Sequence, residues 1–138
     1  IKEDAQIGRI YLPKSETASL GLNNYKDPSK TDMMIINGAR DKLIKLADQY
    51  YQSGLCGINQ LPKKIKRSFM VASNIYQGIG HKIIQKKYSF NEPRVFLNKY
   101  EKLNLTVKTL LTLSKVVDLP LHEKKLHDSL GNLPDANV

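Results

Sequence analysis

Apolar residues recur at steps of three and four along parts of the chain, which is the spacing that places side chains on one face of an α-helix. The first such stretch predicts a helix from about Lys30 to Ser53. Its apolar positions are Met33, Ile36, Ala39, Leu43, Leu46, Ala47 and Tyr50. Ser29 and Asp32 at its start resemble a capping box, in which each side chain bonds the backbone N–H of the other residue.

Two further helices are predicted downstream. Pro62 suits the first turn of the second helix, because its missing N–H would be unpaired there anyway. The apolar stripe of this helix is Ile65, Phe69, Ala72, Tyr76, Ile79 and Ile83. The third helix is predicted from Asn98 to Val117, with one side formed by Leu103, Val107, Leu110, Leu111 and Ser114. No stretch of the sequence indicates a strand, so the predicted class is all-α.

The segments between these helices are predicted to be connections. They read "GLNNYKDPSK" from Gly21 to Lys30, "SGLCGINQLP" and "KKYSFNEPR", and they are rich in turn-forming residues. The stretch from Ser15 to Leu20 is compatible with a short helix. Beyond about residue 119 the chain is polar, and we expect it to fray.

Composition restricts the class of protein. The 138 residues suffice for one domain, or part of one, with a sizeable core. No apolar run approaches the length of a membrane span. Cys56 is the single cysteine, which excludes an intramolecular disulfide, and the first residues lack the regions of a secretory signal. We therefore expect a reducing, cytoplasmic setting.

The net charge of +9 would attract phosphates, nucleic acid or an anionic membrane surface. Four basic residues open the second helix but lie off its apolar stripe: Lys63, Lys64, Lys66 and Arg67. A solvated helix face explains them, although basic groups in a first turn oppose the helix dipole. The chain has no zinc-finger spacing and no aromatic RNA-binding motif. No nucleic-acid partner is therefore predicted, and a basic nucleic-acid module remains the alternative.

Glu3 and Asp4 are candidate ligands for a hard cation, because Mg²⁺ takes oxygen ligands that include one or two carboxylates. Adjacent helical residues point about 100° apart, so this pair is poorly arranged to chelate one ion. A carboxylate four residues before Asp4 would share its face, but that position lies just before Ile1. From these residues alone, a solvated helix end is the preferred interpretation of the pair.

The remaining candidate residues indicate no chemistry by themselves. The three histidines, His81, His122 and His127, do not form a metal-binding pattern, and Cys56 has no evident base nearby. Tyr76 lies on the apolar stripe, where a core tyrosine is the ordinary expectation.

Four blocks of the sequence together resemble the squalene and phytoene synthase family. They are "EDAQIGRIYLP" from Glu3, "YYQSGLCGINQLP" from Tyr50, "ASNIYQGIG" from Ala72 and "PRVFLNKYEKL" from Pro93. Their order and spacing are similar to the C-terminal half of that family, over about residues 1–115. The second and third blocks look most like bacterial-type phytoene synthases. The resemblance implies an isoprenoid (terpenoid) synthase helical fold, of which residues 1–138 would be the C-terminal part of a single domain.

The resemblance also implies roles for particular residues. The family's second aspartate-rich motif is Asp-x-x-x-Asp, and Asp4 matches its last aspartate, so Asp4 would be a catalytic residue and a ligand for Mg²⁺, or for Mn²⁺. Arg9 and Tyr11 would lie near the substrate diphosphate. Tyr76 would line the cavity, and Arg94 would be a further diphosphate contact. The family often has a basic pair where this chain has Pro93 and Arg94.

For the complete protein, the resemblance implies head-to-head condensation of two geranylgeranyl diphosphates to phytoene, through a cyclopropyl diphosphate intermediate. The substrate partner would be an isoprenyl diphosphate, and the enzyme would work in the cytoplasm or peripherally at a membrane. The fragment alone is expected to be inactive. Two alternatives stay open: a squalene- or dehydrosqualene-type synthase that uses farnesyl diphosphate, and a non-catalytic assembly factor on the same fold.

Overall fold

The computed structural model describes residues 1–113 and 123–130, and within these ranges the chain is helical with no strand. The α-helices are α1 (Lys2–Gln6), α2 (Lys14–Thr17), α3 (Leu22–Lys26), α4 (Lys30–Leu55), α5 (Lys63–Gln85) and α6 (Lys99–Leu113). Short 3₁₀ helices cover Cys56–Gln60 and Lys124–Leu130. The predicted all-α class is therefore confirmed.

The predicted capping box at the start of α4 is present. The Ser29 N–H donates to Asp32 Oδ2 at 3.0 Å, and the Asp32 N–H donates to Ser29 Oγ at 3.1 Å. Asn24 Nδ2 donates to the same carboxylate at 3.2 Å. Hydrogen bonds from Ser29 and then Asn24 lower the pKa of Asp32, because they favour its charged form. These bonds satisfy N–H groups that the first helical turn leaves unpaired.

Two predicted connections differ from the structure. The segment Gly21–Lys30 contains α3, whose first turn is closed by the Gly21 N–H donating to Asn24 Oδ1 at 2.9 Å. The helix α4 continues through Gly54 to Leu55, where the interruption was expected at Ser53. The third connection is confirmed, because α5 ends at Gln85 and no helix begins before Lys99. The short helix suggested near Ser15 is the four-residue α2.

Helix α6 also begins with a capping box, formed by Asn98 and Glu101. The Glu101 N–H donates to Asn98 Oδ1 at 2.9 Å, and the Asn98 N–H donates to Glu101 Oε2 at 2.7 Å. The predicted end of this helix, at Val117, lies outside the described residues, as does Ser114. The segment expected to fray contains the 3₁₀ helix Lys124–Leu130.

The chain divides into two compact units, and the first consists of Ile1–Leu46 and Ile79–Phe96. Its core combines residues from α1, the segment between α1 and α2, α3, α4 and the segment after α5: Ala5, Leu12, Tyr25, Ile36, Ala39 and Phe90. Helix α1 packs against α3 in this unit. The stripe predicted for α4 is thus buried where it includes Ile36 and Ala39.

The second unit consists of Ala47–Gly78 and the described part of Leu97–Val138. Buried Thr109 of α6 accepts a 2.7 Å hydrogen bond from Asn74 Nδ2 of α5. A Cβ atom at Gly78 would lie 2.8 Å from Leu105 Cδ1, so α5 and α6 approach closely there. The single-domain prediction for residues 1–138 stays a prediction.

The predicted apolar stripes of α5 and α6 are periodic, as expected, but they are not buried by the described residues. Phe69 is 58% exposed, and Leu103 and Leu111 are 61% and 62% exposed. The side of α6 that packs against α5 instead carries Thr109. Among the described residues, no helix is both long enough and apolar enough to cross a membrane.

Candidate functional site

The turn that follows α1 places the opening motif. Gly8 has a φ of +80°, a left-handed conformation that glycine adopts without a steric penalty. The Gly8 N–H donates to Ala5 O at 3.1 Å, and the Arg9 N–H donates to Asp4 O at 2.9 Å. This pair of bonds is the Schellman motif, which satisfies the last carbonyl groups of a helix. The main chain of Arg9 is therefore fixed to the main chain of Asp4.

The carboxylate of Asp4 is partly exposed. Its side chain is 39% exposed, and Oδ2 lies 3.1 Å from the amino group of Ile1. Within residues 1–113 and 123–130, no group of three or more His, Cys, Asp or Glu side chains could hold a metal ion. Because Mg²⁺ sites commonly combine one or two carboxylates with water and substrate phosphates, Asp4 fits as one ligand among several. The other protein ligands would come from elsewhere.

Arg9 and Tyr11 lie on the surface between two buried anchors. Ala5 is fully buried in α1, and Leu12 is 7% exposed in the core of the first unit. Between these anchors, Arg9 is exposed and Tyr11 is 68% exposed. The segment therefore presents a guanidinium group and a phenol hydroxyl to solvent, close in sequence to the Asp4 carboxylate.

Arg94 lies in the segment between α5 and α6, on the wall of a cleft of about 200 Å³. Ile1 and Arg40 line the same cleft. Lys2 Nζ donates to Asn91 Oδ1 at 2.6 Å, which connects α1 to the segment that carries Arg94. The first unit thus holds four of the five predicted site residues: Asp4, Arg9, Tyr11 and Arg94.

Tyr76 belongs to the second unit and is 64% exposed, so the expectation of a core tyrosine is wrong. It follows Phe69 and Ser73 at helical steps of four and three, which places the three side chains on one face of α5. Phe69 and Ser73 line an apolar cleft of about 430 Å³. The other lining residues are Ala47, Tyr50, Tyr51, Gly54, Leu55 and Ile58.

Sequence reasoning missed the residues of this apolar cleft. The signal was the block "YYQSGLCGI", where two tyrosines precede two glycines and the helical period ends. Small residues beside aromatic ones leave space at a surface. A Cβ atom at Gly54 would have no atom within 4 Å apart from its chain neighbours and the backbone of its own helix. In the sequence, the block indicates an interruption of the helix and a family resemblance, but it does not indicate a cleft.

The basic residues at the start of α5 agree with a solvated helix face. Lys63, Lys64 and Arg67 are exposed, and Lys66 is partly exposed. His81 is also exposed, whereas His122 lies outside the described residues. The nucleic-acid alternative stays untested.

Comparison of the sequence with known proteins identifies its family. The sequence profile of squalene/phytoene synthase matches residues 1–101 of the chain. The chain therefore belongs to the squalene/phytoene synthase family, a family of prenyltransferase-type enzymes with the all-α isoprenoid synthase fold.

Several relatives carry the name phytoene synthase. The 15-cis-phytoene synthase of Enterobacter agglomerans is 33% identical over 109 residues, which cover 78% of this chain and 36% of the relative. The phytoene synthase of Rhodobacter capsulatus is 28% identical over 142 residues, covering 99% of this chain and 41% of the relative. A bifunctional lycopene cyclase/phytoene synthase of Leptosphaeria maculans is 30% identical over 110 residues, covering 78% and 18%.

The chain thus spans 36% and 41% of the length of the first two relatives. No solved structure matches the chain significantly.

Proposed function

We propose that the full-length protein condenses two molecules of an isoprenyl diphosphate head to head, and that geranylgeranyl diphosphate is the substrate and phytoene the product. Membership of the family and the names of the relatives support this reaction. A squalene-type reaction with farnesyl diphosphate is the second candidate, because the family includes both activities.

The observation that carries the proposal is the turn joining Asp4 to Arg9. The 2.9 Å bond from the Arg9 N–H to Asp4 O holds an acidic and a basic residue at opposite ends of one short turn. Loss of a diphosphate needs compensation of several negative charges, which favours a metal ligand and a guanidinium group near one another. Arg9 would bind diphosphate oxygens, and Tyr11 would donate a hydrogen bond to them.

Asp4 would provide one oxygen ligand for Mg²⁺ or Mn²⁺. When bound, the ion would neutralise developing charge on the leaving diphosphate. Arg94 would contact the same diphosphate from the segment after α5. These roles are part of the proposal, and each can be tested by substituting the one residue that it concerns.

The second unit would bind the hydrocarbon part of the substrate. The cleft beside Phe69 is lined mainly by apolar and aromatic side chains, which suits a polyisoprenoid chain. Tyr76, on the same face of α5, would border that chain. An apolar wall also excludes water, which would otherwise capture a carbocation. Because the substrate and product are strongly apolar, we further propose peripheral association with membranes.

Product analysis of the full-length protein tests the reaction. Labelled geranylgeranyl diphosphate and labelled farnesyl diphosphate would be supplied in parallel with Mg²⁺. We expect a forty-carbon hydrocarbon from the first and little product from the second. A thirty-carbon product in excess would support the squalene-type candidate instead. Absence of condensation product from both substrates would contradict the proposed function.

A further inference from the structure

The guanidinium group of Arg40 is enclosed in the first unit, where it binds three partners. Its side chain is 12% exposed. Nη1 donates to the main-chain oxygen of Tyr88 at 2.7 Å and to Asn37 Oδ1 at 3.1 Å. Nε and Nη2 both donate to Asp41 Oδ1, at 3.0 and 2.7 Å. The charge of Arg40 is thus compensated by Asp41, and one side of the guanidinium group holds the chain at Tyr88.

Asn37 lies one helical turn before Arg40 and holds the next two residues of the same segment. Its Oδ1 accepts a hydrogen bond from the Phe90 N–H at 2.8 Å, in addition to the bond from Arg40. Its Nδ2 donates to Ser89 Oγ at 3.4 Å. Two side chains of α4 therefore bind three consecutive residues of a segment that has no regular secondary structure.

The anchored residues lead directly to Arg94. The Phe90 side chain is 7% exposed in the core, and the Ser89 N–H donates to Glu92 Oε1 at 2.8 Å to form a turn. Pro93 follows, and its ring restricts the main chain immediately before Arg94. Arg40 and Arg94 line the same cleft. The path from the anchor to the Arg94 main chain is therefore short and conformationally restricted.

We propose that Arg40 and Asn37 are positioning residues, which fix the segment from Tyr88 to Arg94 and thereby set where the Arg94 guanidinium group meets a substrate diphosphate. Arg40 is assigned a positioning role because Asp41, Asn37 and the Tyr88 carbonyl accept hydrogen bonds from four of its five N–H groups, and its side chain is only 12% exposed. This inference rests on the proposed function, in which Arg94 contacts the diphosphate.

Steady-state kinetics of the full-length enzyme test the positioning role. Arg40→Ala is expected to raise KM for the isoprenyl diphosphate roughly 10- to 100-fold, since small displacements of a binding group have effects of that size. The value of kcat should change little. Arg94→Ala should raise KM similarly, and the double variant should be no worse than Arg94→Ala alone. Additive increases in KM would overturn the proposal.

Asn37 supplies a matched pair of variants. Asn37→Asp keeps an acceptor oxygen for both Arg40 and Phe90, whereas Asn37→Ala removes it. We expect Asn37→Ala to raise KM and to accelerate hydrogen exchange of the Phe90 amide by at least tenfold, and Asn37→Asp to stay near the unsubstituted enzyme. The proposal would be overturned if the two variants had equal KM values and if hydrogen exchange of the Phe90 amide were unchanged in both.

Lys42→Ala is the control for general loss of stability. Lys42 lies on α4, as Arg40 does, and it forms an exposed ion pair with Glu16 of α2, outside the Arg40 network. Its KM should be unchanged; a rise matching that of Arg40→Ala would show a nonspecific effect and overturn the positioning role. Absence of product from the unsubstituted full-length enzyme would instead overturn the proposed function, so the two failures are distinguishable.

Discussion

At the residue scale, Gly8 determines how the opening motif is presented. Its φ of +80° permits the bond from the Arg9 N–H to Asp4 O, and a residue with a Cβ atom adopts this conformation at a cost. The block "GRIYLP" supports a turn at Gly8, but a sequence pattern does not specify hydrogen bonds. The chemistry of Asp4, Arg9 and Tyr11 could thus be predicted from residue types, whereas their arrangement needed the structure.

We predict that Gly8→Ala lowers the stability of the full-length protein by about 1–2 kcal/mol, the cost of a left-handed non-glycine residue. Activity should fall further than stability explains, because Arg9 would move relative to Asp4. Gly38→Ala is the control, since Gly38 lies within α4. A Cβ atom there would have no atom within 4 Å apart from its chain neighbours and the backbone of α4. That change should stabilise by about 0.5–1 kcal/mol. If thermal unfolding showed the same shift of the midpoint temperature for Gly8→Ala and Gly38→Ala, the prediction would be contradicted.

At the element scale, periodicity and caps predicted the three long helices with small errors at their ends. Helix α3 was missed because five residues contain too few positions to show a period. The larger error concerns which face of a helix is buried. Spacing shows that Leu103 and Val107 share a face of α6, but it does not show what covers that face. In the structure, α6 packs on α5 through Thr109, which accepts a hydrogen bond from Asn74.

The cap of α4 predicts a dependence of stability on pH. The pKa of Asp32 is lowered in the folded state by Ser29 and Asn24, so its stabilising effect is complete above the ordinary aspartate pKa and is lost as pH falls through the lowered value. Asp32→Asn should flatten this part of the acid-unfolding curve. Titration by NMR should give Asp32 a pKa below the ordinary value of an aspartate. A pKa above that ordinary value would exclude this contribution of the cap.

The close approach of α5 and α6 predicts a steric effect at Gly78. A Cβ atom added at Gly78 would lie 2.8 Å from Leu105 Cδ1 and 3.1 Å from Leu97 Cδ1. Gly78→Ala should therefore destabilise by up to about 1 kcal/mol, because overpacking against the two leucine side-chain ends exceeds the gain of about 0.5–1 kcal/mol that alanine brings within a helix. Adding Leu105→Val should recover part of the loss, because it withdraws the nearer atom. Denaturant unfolding would measure both, and a stable Gly78→Ala variant would argue against the close packing.

At the scale of the whole molecule, the chain is part of a family whose matched members are longer. It covers 36% of the Enterobacter agglomerans relative, and exposed apolar side chains such as Phe69 and Leu103 lie on α5 and α6. Sequence predicted the family from four ordered blocks, and the profile match over residues 1–101 confirms it. Because the chain spans 36% and 41% of the length of the first two relatives, the activity is to be tested in the full-length protein.

Asp4 is the proposed metal ligand, whereas its neighbour Glu3 is not. The most direct measurement compares Asp4→Asn with Glu3→Gln in the full-length protein, as the rate of product formation from geranylgeranyl diphosphate over a range of Mg²⁺ concentrations. We predict that Asp4→Asn lowers the rate by about 10²–10³-fold and raises the Mg²⁺ requirement, as loss of a group that stabilises developing charge does. Glu3→Gln should remain close to the unsubstituted enzyme, because its side chain points about 100° away. Equal losses in both variants, or an active Asp4→Asn enzyme, would contradict the account.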